Sequence, residues 1–431
     1  MLATPPPHRR RWRTLAVAIA LSLGGASGSA MAAAPTLRDV LAAARAALEV
    51  RQAQQGERGA EGDVLSADHA PLPTLSGKLS QIDLQNGVGA GDPLGRKRID
   101  KSIGIDWTWE RGDKRRHRTT AAERLLAAAR ADTAETALQQ MLSAQAAYFD
   151  WLGARERLRL LREMATLASE AGTTANRRRD AGDLSAQDAL RATIDGERAA
   201  LDLQAAQTDL ARTELALSPW VARAALLDAR SERVQWPQPP APAPGATLAG
   251  DDEAIAARGD VRAAQARLDA ARAALDGALA LRKVDPTWGV SYDHYPGVST
   301  RLIELRVQIP LTFGYRYEGE IARAQADLSH AELAAERTQR DARIDRERLV
   351  AEARSARDRA RRFGADIVEH AATVLRQAEF AFARGAMPLT DLLDARRTWR
   401  STQLDALAAE VDAAKAETAL QLRVDPERLL R

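Results

Sequence analysis

Cysteine is missing altogether from the 431 residues. Its absence excludes disulfides, thiolate metal sites, thiol nucleophiles and a lipidated N-terminal cysteine. Aromatic residues make up only 4% of the chain, so the places where they gather are informative. Proline is absent between Pro93 and Pro219 and again between Pro310 and Pro388, which leaves both stretches free to form uninterrupted helix. Long apolar runs are missing too. Beyond the first 32 residues no stretch approaches the roughly 18 to 20 consecutive apolar residues that a membrane helix needs, so a membrane location has to rest on strands.

Residues 1–32 read as a secretory signal peptide: Arg9, Arg10, Arg11 and Arg13, an apolar stretch from Leu15 to Leu23, then small residues ending in Ala30-Met31-Ala32. The Arg10-Arg11 pair is also compatible with twin-arginine export. Removing this segment takes four of the 62 basic residues and none of the 59 acidic ones, so a formal charge of +3 becomes −1. Nucleic-acid binding, which needs a basic face to displace counterions, loses its compositional support.

The two proline-free stretches are rich in Ala, Leu, Arg, Glu and Gln, which favour helix. A helix from about Lys114 to Arg179 would reach on the order of 100 Å. In the second stretch Leu349, Ala353, Ala356, Ala360, Phe363, Ile367, Ala371, Val374 and Ala378 recur at steps of three and four, which predicts one continuous coiled-coil seam.

Two regions, about 75–110 and 286–312, have strand periodicity instead. Ile99, Lys101, Ile103, Ile105, Trp107 and Trp109 alternate with Asp100, Ser102, Gly104, Asp106 and Thr108. Trp288, Val290, Tyr292 and His294 alternate with Gly289, Ser291, Asp293 and Tyr295, and after Pro296-Gly297 a further alternating run spans Ile303 to Leu311. Period-two alternation with Trp107, Trp109, Trp288, Tyr292 and Tyr295 toward the ends is the pattern of transmembrane β-strands with an aromatic girdle; a hairpin packed on a soluble core is the alternative. Four strands cannot close a barrel, and open edges are not tolerated in lipid. The chain must then oligomerise, and three copies would supply 12 strands.

Displacing the chain by 203 residues superposes Gly182 on Gly385, Asp188 on Asp391, Leu190 on Leu393, Asp202 on Asp405 and Glu214 on Glu417. The chain is therefore a duplication: residues 33–235 and 251–431 each read helix, strand, strand, long helix, turn, helix. The turns lie near 182 and 385, and a Pro-rich linker, 236–250, joins the halves. A longer loop within Asn86–Arg98 distinguishes the first half.

This duplication, with the turn segment Phe382 to Arg397, resembles the TolC family of outer-membrane efflux proteins across essentially the whole mature chain. The run Tyr315-Arg316-Tyr317-Glu318-Gly319-Glu320-Ile321-Ala322-Arg323-Ala324 resembles the cobalt-zinc-cadmium subgroup of heavy-metal efflux systems. The resemblance implies a mainly α fold with a membrane β-barrel: a homotrimer whose 12-stranded barrel, four strands per chain, continues into an α-helical periplasmic tunnel. It also implies a periplasmic membrane-fusion adaptor and an inner-membrane pump of the resistance-nodulation-division type as partners, with heavy-metal cations as cargo. Drug efflux and type I polypeptide secretion stay open for the same duct, and a soluble periplasmic coiled-coil adaptor is the reading from another class.

By the same resemblance, Asp391 and Asp394 match an aspartate ring that narrows the tunnel and favours cations; Asp391 also suits a helix N-terminus after Pro388. Gly182, Ser185, Asp188, Gly385 and Pro388 belong to the turns implied to meet the adaptor, although Ser185 and Asp188 also have the spacing of a helix cap. Position 191 is arginine where the second repeat has Asp394. Phe382 and Met387 replace a tyrosine and an arginine that latch the closed tip in some members. The six histidines show no ligand spacing, and no Walker loop or nucleophile elbow occurs. The reading is of a non-enzymatic duct with no cofactor and no metal site.

Overall fold

In the computed structural model, residues 34–91, 98–231, 234, 236–237, 251–296 and 299–430 are described. The expected signal peptide lies outside them, as does the linker except for Trp236 and Pro237. The first half contains α1 (Leu37–Arg45), α2 (Leu48–Ala67), β1 (Thr74–Ser80), β2 (Asp100–Thr108), α3 (Lys114–Asp180), α4 (Ala186–Leu217) and α5 (Arg223–Asp228). The second contains α6 (Asp251–Ala256), α7 (Gly259–Ala280), β3 (Thr287–Tyr295), β4 (Ser299–Gln308), α8 (Glu318–Arg362), a π-helical segment (Phe363–Ile367), α9 (Val368–Ala383) and α10 (Leu389–Val424).

Helix α3 runs for 67 residues, about 100 Å at 1.5 Å per residue, and serves as the spine. Helices α1, α2, α4, α7 and α10 pack against it, while α8 lies against α7 and α10. Both long helices begin at a left-handed residue after a left-handed glycine: Asp113 after Gly112, and Tyr317 three residues after Gly314. The apolar core gathers half-way down α3, where Tyr148, Phe149, Trp151 and Leu152 meet Val40 and Leu41 of α1, Leu226 of α5 and Leu422 of α10. Arg155 lies over the Trp151 ring with its guanidinium carbon 4.6 Å from the centroid, and donates to the carbonyl of Ala229.

The seam expected to run unbroken from Leu349 to Ala378 is interrupted. Leu349, Ala353 and Ala356 are buried, as are Ala371 and Ala378, but none of the five π-helical residues between them is. A π-bulge is one extra residue in an α-helix, so it turns the following side chains away from the line set above it; Ile367 is left 42% exposed.

The four strands form one antiparallel sheet in chain order, β1-β2-β3-β4. The β2–β3 pairing joins the two halves, with Ile105 opposite Val290 and Trp107 opposite Trp288. Among the described residues, strands β1 and β4 each leave one edge unpaired.

Candidate functional site

The sheet has two chemically distinct faces. Register and alternation put Leu75 and Leu79, Ile103, Ile105 and Trp107, Trp288, Val290 and Tyr292, and Ile303, Leu305 and Val307 on one side. Among the described residues nothing covers this side: Ile303 and Leu305 are 76% and 77% exposed. The other face carries Ser76, Lys78, Ser102, Asp106, Ser291, Asp293, Glu304 and Arg306. Tyr295 alternates with Asp293 and sits among Asp293, Glu304 and Asp100. It belongs to this polar face, not to the apolar band, because the register irregularity near it places the extra residue on β4 and leaves the alternation of β3 intact.

Small residues make room on the polar face. Arg306 Nη2 reaches Asp106 Oδ1 at 2.6 Å, although β3 lies between their strands. Gly289 is the register partner of both, and a Cβ there would come within 2.2 Å of that same carboxylate oxygen. Beneath the sheet, Lys114 Nζ contacts Asp285 Oδ2 at 2.6 Å and the Lys283 carbonyl at 2.6 Å, while Asp285 Oδ1 accepts from the Arg111 amide at 2.8 Å. These contacts lock the hairpin bases to the start of α3. Tyr315 and Tyr317, at the entry to α8, have ring centroids 5.8 Å apart, and the Tyr315 hydroxyl meets Glu320.

At the far end of the helices the two turns are built alike. Gly182 and Gly385 both have positive φ, +85° and +75°, which lets Asp183 N–H donate to Arg178 C=O at 2.8 Å and Ala386 N–H to Ala381 C=O at 2.9 Å, closing each helix. Ser185 caps α4, accepting from the Asp188 amide at 3.0 Å and donating to the Asp188 carboxylate at 2.7 Å. Asp188 also pairs with Arg191 at 3.7 Å. Thus Ser185, Asp188 and Arg191 form one local cap.

Helix α10 starts differently, after extended Pro388 and without a side-chain cap. Asp391 and Asp394 are exposed on one face of its first turns, opposite buried Leu392, Leu393 and Ala395. Asp391 accepts from the Thr390 hydroxyl at 3.2 Å; among the described residues Asp394 has no ion-pair partner. The two repeats are tied together at this end. Leu389, Leu392, Leu393 and Ala378 pack with Ala175, Ala189 and Ala192, and Met387 and Phe382 border the cluster. The Arg178 guanidinium lies over the Phe382 ring at 5.5 Å, a contact that needs no tyrosine hydroxyl. Higher up, Arg397 Nε pairs with the buried Asp195 at 3.3 Å, a tie that sequence reading missed because its partners lie on different repeats.

Residues 38–230 match the family model described as "Outer membrane efflux protein". No curated protein sequence matches the chain. Among solved structures, a membrane protein from Pseudomonas aeruginosa is 18% identical with a TM-score of 0.77, covering 90% of each chain. The outer membrane protein VceC of Vibrio cholerae is 18% identical with a TM-score of 0.73, covering 90% of this chain and 95% of its own. CusC, solved in conformations that accompany transmembrane channel formation, is 16% identical with a TM-score of 0.72, covering 94% and 95%.

A single-sided apolar sheet set on a helical shaft is the fold of these solved outer-membrane proteins, that of the TolC type. The match to the outer membrane efflux family covers residues 38–230, a little under half of the chain.

Proposed function

We propose that three copies of this chain close a 12-stranded barrel and a helical tunnel, forming the passive exit duct of a tripartite system for heavy-metal cations. The observation that carries the reading is a four-stranded sheet with one bare apolar face and two unpaired edges. An open edge in lipid leaves backbone groups without partners, at several kcal/mol each; pairing β1 of one copy with β4 of the next removes every edge. The polar face then lines the lumen and the apolar face meets lipid, with Trp107, Trp109, Trp288 and Tyr292 as aromatic anchors. The tip turns at Gly182 and Gly385 would dock a periplasmic adaptor, and an inner-membrane pump of the resistance-nodulation-division type would supply energy and choose the cargo.

Metal cargo is supported by the resemblance of the Tyr315–Ala324 run and by the exposed carboxylates of Asp391 and Asp394, six per trimer around one axis. Such a ring raises local cation concentration without a coordination site. A strain lacking this chain should become sensitive to one or more of zinc, cobalt, cadmium and copper; sensitivity confined to hydrophobic drugs would reassign the cargo. In planar bilayers, Asp391→Asn with Asp394→Asn should lower the cation over anion permeability ratio, and an unchanged ratio would remove the pair from that role.

A further inference from the structure

The apolar face of the sheet ends abruptly on the side of the hairpin loops. One step beyond the row of Ile103, Tyr292 and Ile303, Lys101 of β2 lies opposite His294 of β3. Arg301 of β4 is two residues before Ile303, in the stretch where β4 carries its extra residue opposite His294. Alternation places Lys101 and His294 on the lipid side, and the step of two from Ile303 places Arg301 there at the edge of the β4 irregularity, while the nearby acids Asp100, Asp293 and Glu304 alternate to the other. At the opposite end the same band finishes in Trp107 and Trp288. Indoles therefore bound the band toward the helices, and the charges of Lys101 and Arg301 bound it toward the loops. Because the helices extend into the periplasm, the loops and the cationic row lie at the outer leaflet.

A second feature adjoins the row. Directly below it the apolar face holds a shallow groove of about 340 Å³ lined chiefly by Leu75, Ile103, Ile105, Val290, Tyr292 and Ile303. Cations above a hydrocarbon groove match an amphiphile with an anionic head and an acyl tail. Arginine offers a planar fork to phosphate oxygens, and lysine a point charge; at this depth both are partly withdrawn from water, where such contacts gain strength.

We infer that this end of the face binds a phosphate-bearing glycolipid of the outer leaflet, with Lys101 and Arg301 around the phosphate and an acyl chain in the groove. The site rests on the barrel reading of the sheet, since only an inserted sheet presents it to lipid. The test titrates the full chain, solubilised in neutral detergent, with bisphosphorylated lipid A, with the same lipid stripped of phosphate, and with inorganic phosphate, following bound lipid by native mass spectrometry. The phosphorylated lipid should bind at least tenfold more tightly than the stripped one. The double variant Lys101→Gln, Arg301→Gln should lose that preference, and Lys101→Arg, Arg301→Lys should keep it. Equal binding of the two lipids, an unchanged preference in the glutamine variant, or displacement of lipid A by millimolar inorganic phosphate would each overturn the site. Fractionation and bilayer conductance of the same samples score the barrel reading separately: a chain that inserts and conducts yet shows no phosphate preference refutes the lipid site alone.

Discussion

Gly289 illustrates how much a single missing side chain can organise. Asp106 and Arg306 sit two strands apart and meet only because the residue between them has no Cβ. Gly289→Ala should push the Asp106 carboxylate off Arg306 and lower stability slightly, because the atom the methyl meets is the end of a flexible side chain. Thermal unfolding of the reconstituted protein should show a lowered midpoint, and the loss should shrink when Asp106→Ala is already present; equal losses in the two backgrounds would mean that the ion pair is not what the methyl displaces. The alternation in the sequence marks Gly289 as a polar-face position, but the need for glycine there depends on a residue 200 positions from Asp106 along the chain, which no local pattern carries.

Asp345 is the corresponding case among the helices. Arg258 contacts both Asp260 and Asp345, at 2.8 and 3.0 Å, and Arg423 joins Asp345 at 3.7 Å and Glu135 at 2.7 Å. Partial burial by itself would raise the Asp345 pKa, but hydrogen bonds from Arg348 and Arg258, together with the charges of Arg258 and Arg423, outweigh it and hold the group below its usual 3.8. A lowered folded-state pKa means that stability is present above pH 3.8 and is lost as the pH falls through the folded value. Asp345→Asn should therefore lower the unfolding midpoint at pH 7 and converge on the parent below the folded-state pKa. A deficit that stays constant with pH would assign the effect to packing.

At the scale of elements, helix and strand are written into the sequence by period, and the structure follows: the alternating run from Ile99 to Trp109 forms β2 but for its two end residues, and the proline-free stretch after Pro93 contains α3. The π segment is different. Phe363-Gly364-Ala365-Asp366-Ile367 fits the apolar spacing of a plain helix, so nothing in its composition announces an extra residue; the break shows only in where the neighbouring side chains are buried. Ties between the coils are equally silent, being pairs far apart in sequence. Arg397 and Asp195 link α10 to α4, with Asp195 almost fully buried and Arg397 about half exposed. Replacing Arg397 by Gln strands that carboxylate, at a cost of about 1–3 kcal/mol after allowing for solvent around the arginine. If the tie restrains the tip, single-channel recordings of Arg397→Gln should show a larger mean conductance, and conductance identical to the parent would make the tie purely structural.

For the whole molecule, the absence of cysteine that first narrowed the chemistry also provides a clean test of assembly. The sheet must lose its two free edges to enter lipid, and the number of copies that achieves this follows from strand count and curvature and not from any one contact. Lys78 of β1 shares the polar face with Leu302, Glu304 and Arg306 of β4, so cysteines introduced at position 78 and, in turn, at 302, 304 or 306 report the meeting of neighbouring edges. At least one combination should oxidise to a ladder on denaturing gels that ends at three chains, because a closed ring of three has no fourth partner. A ladder ending at two or four would revise the 12-strand count, since each chain contributes four strands whatever the number of copies. A chain that never cross-links while lodged in the membrane would require some other cover for the β1 and β4 edges, which the apolar face and the hydrocarbon around it cannot supply.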